Sequence, residues 1–96
     1  MKSICVFGVF VADLCFVGKK IPSKGQTVLG KKHVVGPGGK GSNQAIAAAR
    51  LNGEVSFITK VGKDSHSEMA FNLYKEAGLK THSIIQDKNL FTGVAG

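Results

Sequence analysis

Tryptophan is absent, tyrosine occurs once, and arginine occurs once beside twelve lysines. Nucleic-acid binders cluster arginine and interleave aromatic side chains, so this scarcity argues against a nucleic-acid partner even at a formal charge of +7. The lysines are spread along the chain, the densest pairs being Lys19-Lys20 and Lys31-Lys32. Such a pattern describes a generally basic surface, or attraction for an anionic substrate such as a nucleotide. Cysteine is limited to Cys5 and Cys15, ten residues apart in apolar surroundings. That spacing is neither C-x-x-C nor a secreted framework, and the expectation is two buried free thiols in a reducing, cytoplasmic compartment. His33, His66 and His82 share no ligand spacing with one another or with cysteine, so no metal site is expected. Long apolar runs are missing too. The strongest, Ile4 to Val17, is broken by Gly8 and Asp13, falls short of the ~18 residues of a bilayer span, and lacks a small-residue cleavage site after it. No membrane association is expected.

What remains has the balance of a globular chain: 43% hydrophobic and 20% charged residues in a length of 96. A domain this short buries only roughly 60–65% of its unfolded surface, yet new elements keep starting up to Gly96. The final Leu90-Phe91-Thr92-Gly93-Val94-Ala95-Gly96 stretch is apolar and glycine-punctuated. We therefore expect the N-terminal part of something larger.

Ser3 to Phe10 is β-branched and aromatic without clean alternation, which suits a strand buried on both faces of a sheet, with Asp13 just past its carboxyl end. Leu14–Val17 and Gln26–Val35 read as short strands around the turn-rich 18–25 segment. Gly36-Pro37-Gly38-Gly39-Lys40-Gly41 reads as a loop, being four glycines and a proline in six residues. Ser42 or Asn43 is placed to cap a helix running to Leu51, apolar almost all round and stopped by Asn52-Gly53. A strand over Val55–Val61 follows. A second helix is capped by Asp64 or Ser65, carries Met69, Ala70, Leu73, Tyr74 and Ala77 on one face, and is closed by Gly78. Strands over Thr81–Gln86 and Leu90–Ala95 flank a turn at Asp87-Lys88-Asn89. Strands alternating with helices predict an α/β fold with parallel βαβ units.

The richest segment for chemistry is the 36–43 loop. Successive glycines let backbone N–H groups converge at the positive end of a helix, Lys40 adds a charge, and Asn43 both donates and accepts. A phosphate or a polyol would suit it, and a plain strand–helix turn would not need four glycines. Gly39 is expected to stay bare for ligand approach, so that Gly39→Val abolishes activity and leaves the protein folded. A P-loop is excluded because Gly41, rather than Ser or Thr, follows Lys40. Gly36, Gly38 and Gly41 satisfy G-x-G-x-x-G literally. They do not follow the first strand, however, and no carboxylate answers them about twenty residues on. Asp13, at the end of an apolar strand, sits where open α/β sheets place ligand groups, and its carboxylate can accept two hydrogen bonds from a diol.

Asp13 after a hydrophobic strand, Gly38-Gly39-Lys40-Gly41-Ser42-Asn43-Gln44-Ala45, and Val61-Gly62-Lys63-Asp64 together closely resemble the ribokinase-like (PfkB) family of carbohydrate kinases. The eight-residue string resembles the ribokinase branch of it, and the likeness covers essentially the whole chain. The resemblance implies the N-terminal part of a single ribokinase-like α/β/α sandwich domain over 1–96. It also implies a small β-sheet lid from segments about 14–35 and 90–96, through which members often pair as homodimers. It implies ATP-dependent phosphorylation of a sugar hydroxyl, of ribose or a related pentose. Asp13, Gly38, Gly39, Lys40 and Asn43 would bind that sugar. The catalytic base, the nucleotide pocket, Mg²⁺ and a monovalent cation such as K⁺ would belong to residues further on. Two departures stand out. Ribokinases usually carry Asn where this chain has Val11, removing one polar sugar contact, and glycine where it has Ser67. The alternatives are a kinase of the same family for a nucleoside or another sugar, a non-catalytic binding module, and, more distantly, dinucleotide binding.

Overall fold

The computed structural model describes residues 3–96, which form six strands and two helices. They are β1 (Ser3–Phe7), β2 (Val11–Val17), β3 (Lys32–Gly38), α1 (Lys40–Arg50), β4 (Glu54–Gly62), α2 (Ser65–Ala77), β5 (Ile84–Asp87) and β6 (Val94–Ala95). Two three-stranded sheets result. The body sheet has the order β1-β4-β5 and is wholly parallel, with Val6 opposite Phe57 and Val61 opposite Gln86. The second sheet has the order β3-β2-β6, with β2 antiparallel to β3 and parallel to β6. An α/β fold of parallel βαβ units was expected from the alternation of strand and helix patterns, and it is what forms.

The core lies where α1 and α2 cover one face of the body sheet. Alternate residues Val55, Phe57, Thr59 and Val61 of β4 are buried there, against Ala45, Ile46 and Ala49 of α1 and Ala70 and Tyr74 of α2. The period of two along β4 and the i, i+3, i+4 spacing along the helices make that burial possible. The opposite face is bare among the described residues: Cys5 is exposed, Phe7 is 84% exposed, and Ile85 is exposed. β1 is therefore not buried on both faces, as its sequence had suggested. Both thiols are exposed rather than buried, Cys5 on this bare face and Cys15 on the second sheet. Nor is α1 buried all round, since Ala47 faces solvent and Leu51 at its end is 83% exposed.

Several boundaries differ from expectation for identifiable reasons. β1 stops at Phe7, because Gly8 must pass backbone-to-backbone against Gly41; a side chain on either glycine would meet the other's Cα at 2.9 Å. The chain then crosses to the second sheet, so Asp13 lies within β2, paired with Gly36 and Ala95, not beyond the end of β1. Residues 18–31 hold no strand, and β3 begins only at Lys32. It runs through Gly36-Pro37-Gly38, which had read as loop. Pro37 is tolerated because β3 is an edge strand, where a missing N–H interrupts no ladder. β5 starts late, at Ile84, and β6 is only two residues long. The turn between them is as expected, with the Asn89 N–H donating to Asp87 Oδ1 at 2.8 Å. Asn52, with φ 66°, and Gly78, with φ 81°, end the two helices in the left-handed conformation.

Helix α1 has no side-chain cap. Its N-cap is Gly39 at φ 100°, so neither Ser42 nor Asn43 caps it. A Cβ on Gly39 would lie 2.3 Å from the Val9 carbonyl oxygen. The glycine is thus demanded by the backbone itself, which corrects the expectation that only a ligand needs it bare. Helix α2 is capped as one of the two expected residues allows: Asp64 Oδ1 accepts from the Ser67 N–H at 2.9 Å, and Ser67 Oγ accepts from the Asp64 N–H at 3.1 Å. Ser67, fully buried, closes this reciprocal cap, a role the glycine expected there by resemblance would leave unfilled.

Asp64 does more than cap. Its Oδ2 accepts from the Thr92 N–H at 2.9 Å and its Oδ1 from the Thr92 hydroxyl at 2.8 Å, while Thr92 Oγ1 accepts from the Gly62 N–H at 3.0 Å. This clamp fixes the chain two residues before β6. The Thr92 N–H, helped by Ser67 and the Thr92 hydroxyl, lowers the Asp64 carboxyl from 3.8 to about 2 against the opposing effect of desolvation. A folded-state value below the unfolded one means stability present above pH ~4 and lost as the pH falls towards ~2. Asp64→Ala should cost about 1–2 kcal/mol in urea unfolding at pH 7, a deficit that shrinks at acid pH. Gly39→Val should lower stability by about 3 kcal/mol or more, measured in the same way, instead of leaving the fold intact.

Candidate functional site

Asp13 is the sole carboxylate in the first 53 residues, while residues 14–53 carry seven lysines and arginines and no acid. Its strand holds it between two neighbours, opposite Gly36 of β3 and Ala95 of β6, and the side chain is exposed. Gly38 makes room for it. A Cβ built on Gly38 would meet Asp13 Oδ1 at 2.5 Å and Oδ2 at 2.6 Å, so the carboxylate lies directly over this buried glycine. The period of two along β2 puts Val11, Asp13, Cys15 and Val17 on one face. Asp13 also borders an open cleft of about 1270 Å³ whose walls include Phe16, Ile21, Lys31 and Lys32.

One residue beyond Gly38 the chain turns at Gly39 into the first turn of α1, Lys40-Gly41-Ser42. The Asn43 N–H donates to the Gly39 carbonyl at 2.9 Å, the first bond of the helix. With no side-chain cap and no acidic residue in that turn, its N–H groups and the exposed Lys40 ammonium form a positive, donor-rich end that follows directly on Gly38, the glycine under Asp13. Asn43 is exposed one turn along. It borders a different, smaller groove of about 230 Å³ with Pro37, Ile46, Ala47, Arg50 and Leu73. Asp13 and Gly38 are therefore in direct juxtaposition, Gly39 and Lys40 follow at once, and Asn43 opens to the side.

This arrangement offers one exposed carboxylate as acceptor and a helix end with a lysine as donors. Such a set can hold a polyol from two sides. Among the described residues, no three His, Cys, Asp or Glu side chains gather to hold a metal ion. The Mg²⁺ and monovalent cation implied by the resemblance find no ligand set on these residues. Sequence reading missed two features that shape the site: the Asp64–Thr92 clamp and a buried Ser42–Tyr74 hydrogen bond. Both join residues about thirty positions apart, and no local pattern encodes such a pairing.

Comparison with known proteins agrees with this architecture. The family model for pfkB family carbohydrate kinases matches residues 1–96. Ribokinase of Bacillus subtilis is 44% identical over 81 residues, 84% of this chain and 28% of that protein. Deoxyribokinase of Salmonella typhimurium is 35% identical over 92 residues, 96% of this chain and 30% of that protein. The structure of Arabidopsis thaliana ribokinase complexed with ribose and ATP superposes with a TM-score of 0.86 at 28% identity, covering 96% of this chain and 30% of that one. The chain thus spans less than a third of the length of these relatives and has their ribokinase-like α/β fold. By sequence along its whole length and by the arrangement of its strands and helices, it belongs to the pfkB family of carbohydrate kinases.

Proposed function

We propose that this chain forms the acceptor-binding half of an ATP-dependent sugar kinase, the acceptor being ribose or a related pentose. The observation that carries the reading is Asp13 seated over Gly38, next to the uncapped first turn of α1. The Asp13 carboxylate accepts hydrogen bonds from two neighbouring sugar hydroxyls. Gly38 and Gly39 let the sugar approach the backbone, Lys40 and the first-turn N–H groups donate to its oxygens, and Asn43 donates and accepts at the rim. Phosphoryl transfer asks the protein mainly for position and for charge stabilisation. These residues supply the position of the accepting hydroxyl. ATP, Mg²⁺, a monovalent cation and the catalytic base belong to the remaining two thirds of the relatives' length. The long positive stretch around Asp13 favours the arrival of an anionic nucleotide.

The second sheet acts as a lid over the sugar, built from about 14–35 and 90–96 with β2 as its centre, and its edges and exposed apolar residues pair two copies into a homodimer. Among the described residues no helix is long and apolar enough to cross a membrane. The two free thiols suit a reducing compartment, and the cytoplasm is the proposed location. A second reading is favoured by one observation. Val11 lies on the same strand face as Asp13, with Gly93 close beside it, so an aliphatic group borders the carboxylate. An acceptor with an apolar edge, a deoxygenated sugar or a nucleoside, fits that wall.

In the full-length enzyme, Asp13→Ala should lower kcat/KM for the sugar by about 100-fold or more and leave the KM for ATP within about twofold. Steady-state kinetics with each substrate varied in turn will show it, and an equal loss on both would refute the role of Asp13. A panel of ribose, deoxyribose, fructose and nucleosides distinguishes the two acceptors. Val11→Asn should shift the preference towards ribose by about tenfold, as a regained hydrogen bond would. An unchanged ranking would remove Val11 from the site.

A further inference from the structure

Tyr74 is the chain's single tyrosine, and it is buried at 1% exposure on α2. Its hydroxyl shares a 2.6 Å hydrogen bond with Ser42 Oγ, which is itself fully buried. Its ring meets Phe10 edge-on at 6.2 Å and Phe57 edge-on at 5.7 Å. These contacts reach three different parts of the fold. Phe57 belongs to β4, in the centre of the body sheet. Phe10 is three residues before Asp13, at the point where the chain enters the second sheet. Ser42 is the third residue of α1, between Lys40 and Asn43.

Ser42 is the only residue of that first turn whose side chain reaches into the core; Lys40 and Asn43 are exposed and Gly41 has none. With the N-cap a glycine and no side-chain cap, the turn has no other side-chain anchor among the described residues. A glycine-led helix end is intrinsically loose. Desolvation raises the Tyr74 hydroxyl above its ordinary value, so it remains a neutral donor and acceptor throughout the physiological range.

We propose that Tyr74 is a positioning residue of the acceptor site: its ring holds the Phe10 approach to Asp13 and its hydroxyl, through Ser42, holds the turn that carries Lys40 and Asn43. One side chain from α2 thereby sets the spacing between the two halves of the site without touching the sugar. The link to sugar affinity rests on the reading of Asp13, Lys40 and Asn43 given above. The link to the α1 turn does not.

The test uses Tyr74→Phe, Ser42→Ala and the double variant in the full-length protein. Tyr74→Phe alone strands a buried serine hydroxyl and should lower stability. Removing both partners leaves an apolar pair of nearly the same shape, which is close to neutral for stability. A merely structural role therefore predicts that the double variant behaves as wild type. A positioning role predicts that amide exchange at Asn43 stays about tenfold faster in the double variant, with protection across β4 unchanged. It also predicts a sugar KM about tenfold higher with the KM for ATP unmoved. Wild-type exchange at Asn43 in the double variant would overturn the proposal, as would a uniform loss of protection that includes β4. If the wild-type enzyme phosphorylates no sugar, the proposed function fails, and Asn43 exchange still decides whether Tyr74 holds the turn.

Discussion

At Gly39 and Gly41 the backbone passes so close to the Gly8–Phe10 segment that neither position has room for a side chain. Gly39 lies against the Val9 carbonyl, Gly41 against Gly8, and Gly38 under the Asp13 carboxylate. This close crossing joins the two sheets. It lets β3 hand the chain to α1 without an intervening loop, and it places the open N-terminus of that helix beside the strand that carries Asp13. The rest of the fold secures it. Helix α1 is packed on β4 through Ala45, Ile46 and Ala49, and Tyr74 reaches across from α2 to both sides of the crossing. The molecule that results is elongated, 53 × 31 × 19 Å with a radius of gyration of 15.7 Å, against the ~12.5 Å of a compact domain of this length. The strands of the second sheet contact mainly one another, and Ala12 of β2, fully buried, ties that sheet to the core of the helix-covered body.

How much of this the residues announced depends on the range of the interactions involved. The βαβ pattern of β4, α2 and β5, the Asp64 cap and the left-handed stops at Asn52 and Gly78 were legible, because each is decided by neighbours a few positions away. Asp13, Gly38 and Lys40 were legible as a group by their residue types and by resemblance. The loop from Gly36 to Gly41 was misread because propensity speaks of isolated segments. In the fold, β2 supplies the partner that makes a strand of Gly36-Pro37-Gly38, and an edge position tolerates the proline. Burial differs for a related reason. Apolar residues such as Cys5, Phe7 and Leu51 suit a core, and among residues 3–96 the two helices cover only one face of the body sheet. The clamp from Asp64 to Thr92 and the bond from Ser42 to Tyr74 connect distant positions, and only the three-dimensional arrangement shows them.

The glycines changed meaning most. Four in six residues suggested a cradle whose purpose is to receive a ligand. Three of the four turn out to be required by the protein's own backbone and by Asp13. The two roles are compatible, since a crossing too tight for side chains is also a surface on which a small polar ligand can lie against main-chain donors. On the proposed function, affinity for an acceptor comes from a few charged and polar groups held at a fixed spacing, and the packing beneath them holds that spacing. Val11 and Tyr74 are proposed to act on different parts of this arrangement, one at the wall of the site and one behind it.

The central claim is that the acceptor binds between Asp13 and the first turn of α1. Amide chemical-shift mapping of the full-length, isotopically labelled protein during a ribose titration tests it most directly, because it needs no turnover. The account predicts saturable shifts concentrated at Ala12–Leu14 and Gly38–Asn43, abolished by Asp13→Ala. Shifts confined to other surfaces, or saturable shifts at the same amides that survive the loss of Asp13, would contradict it.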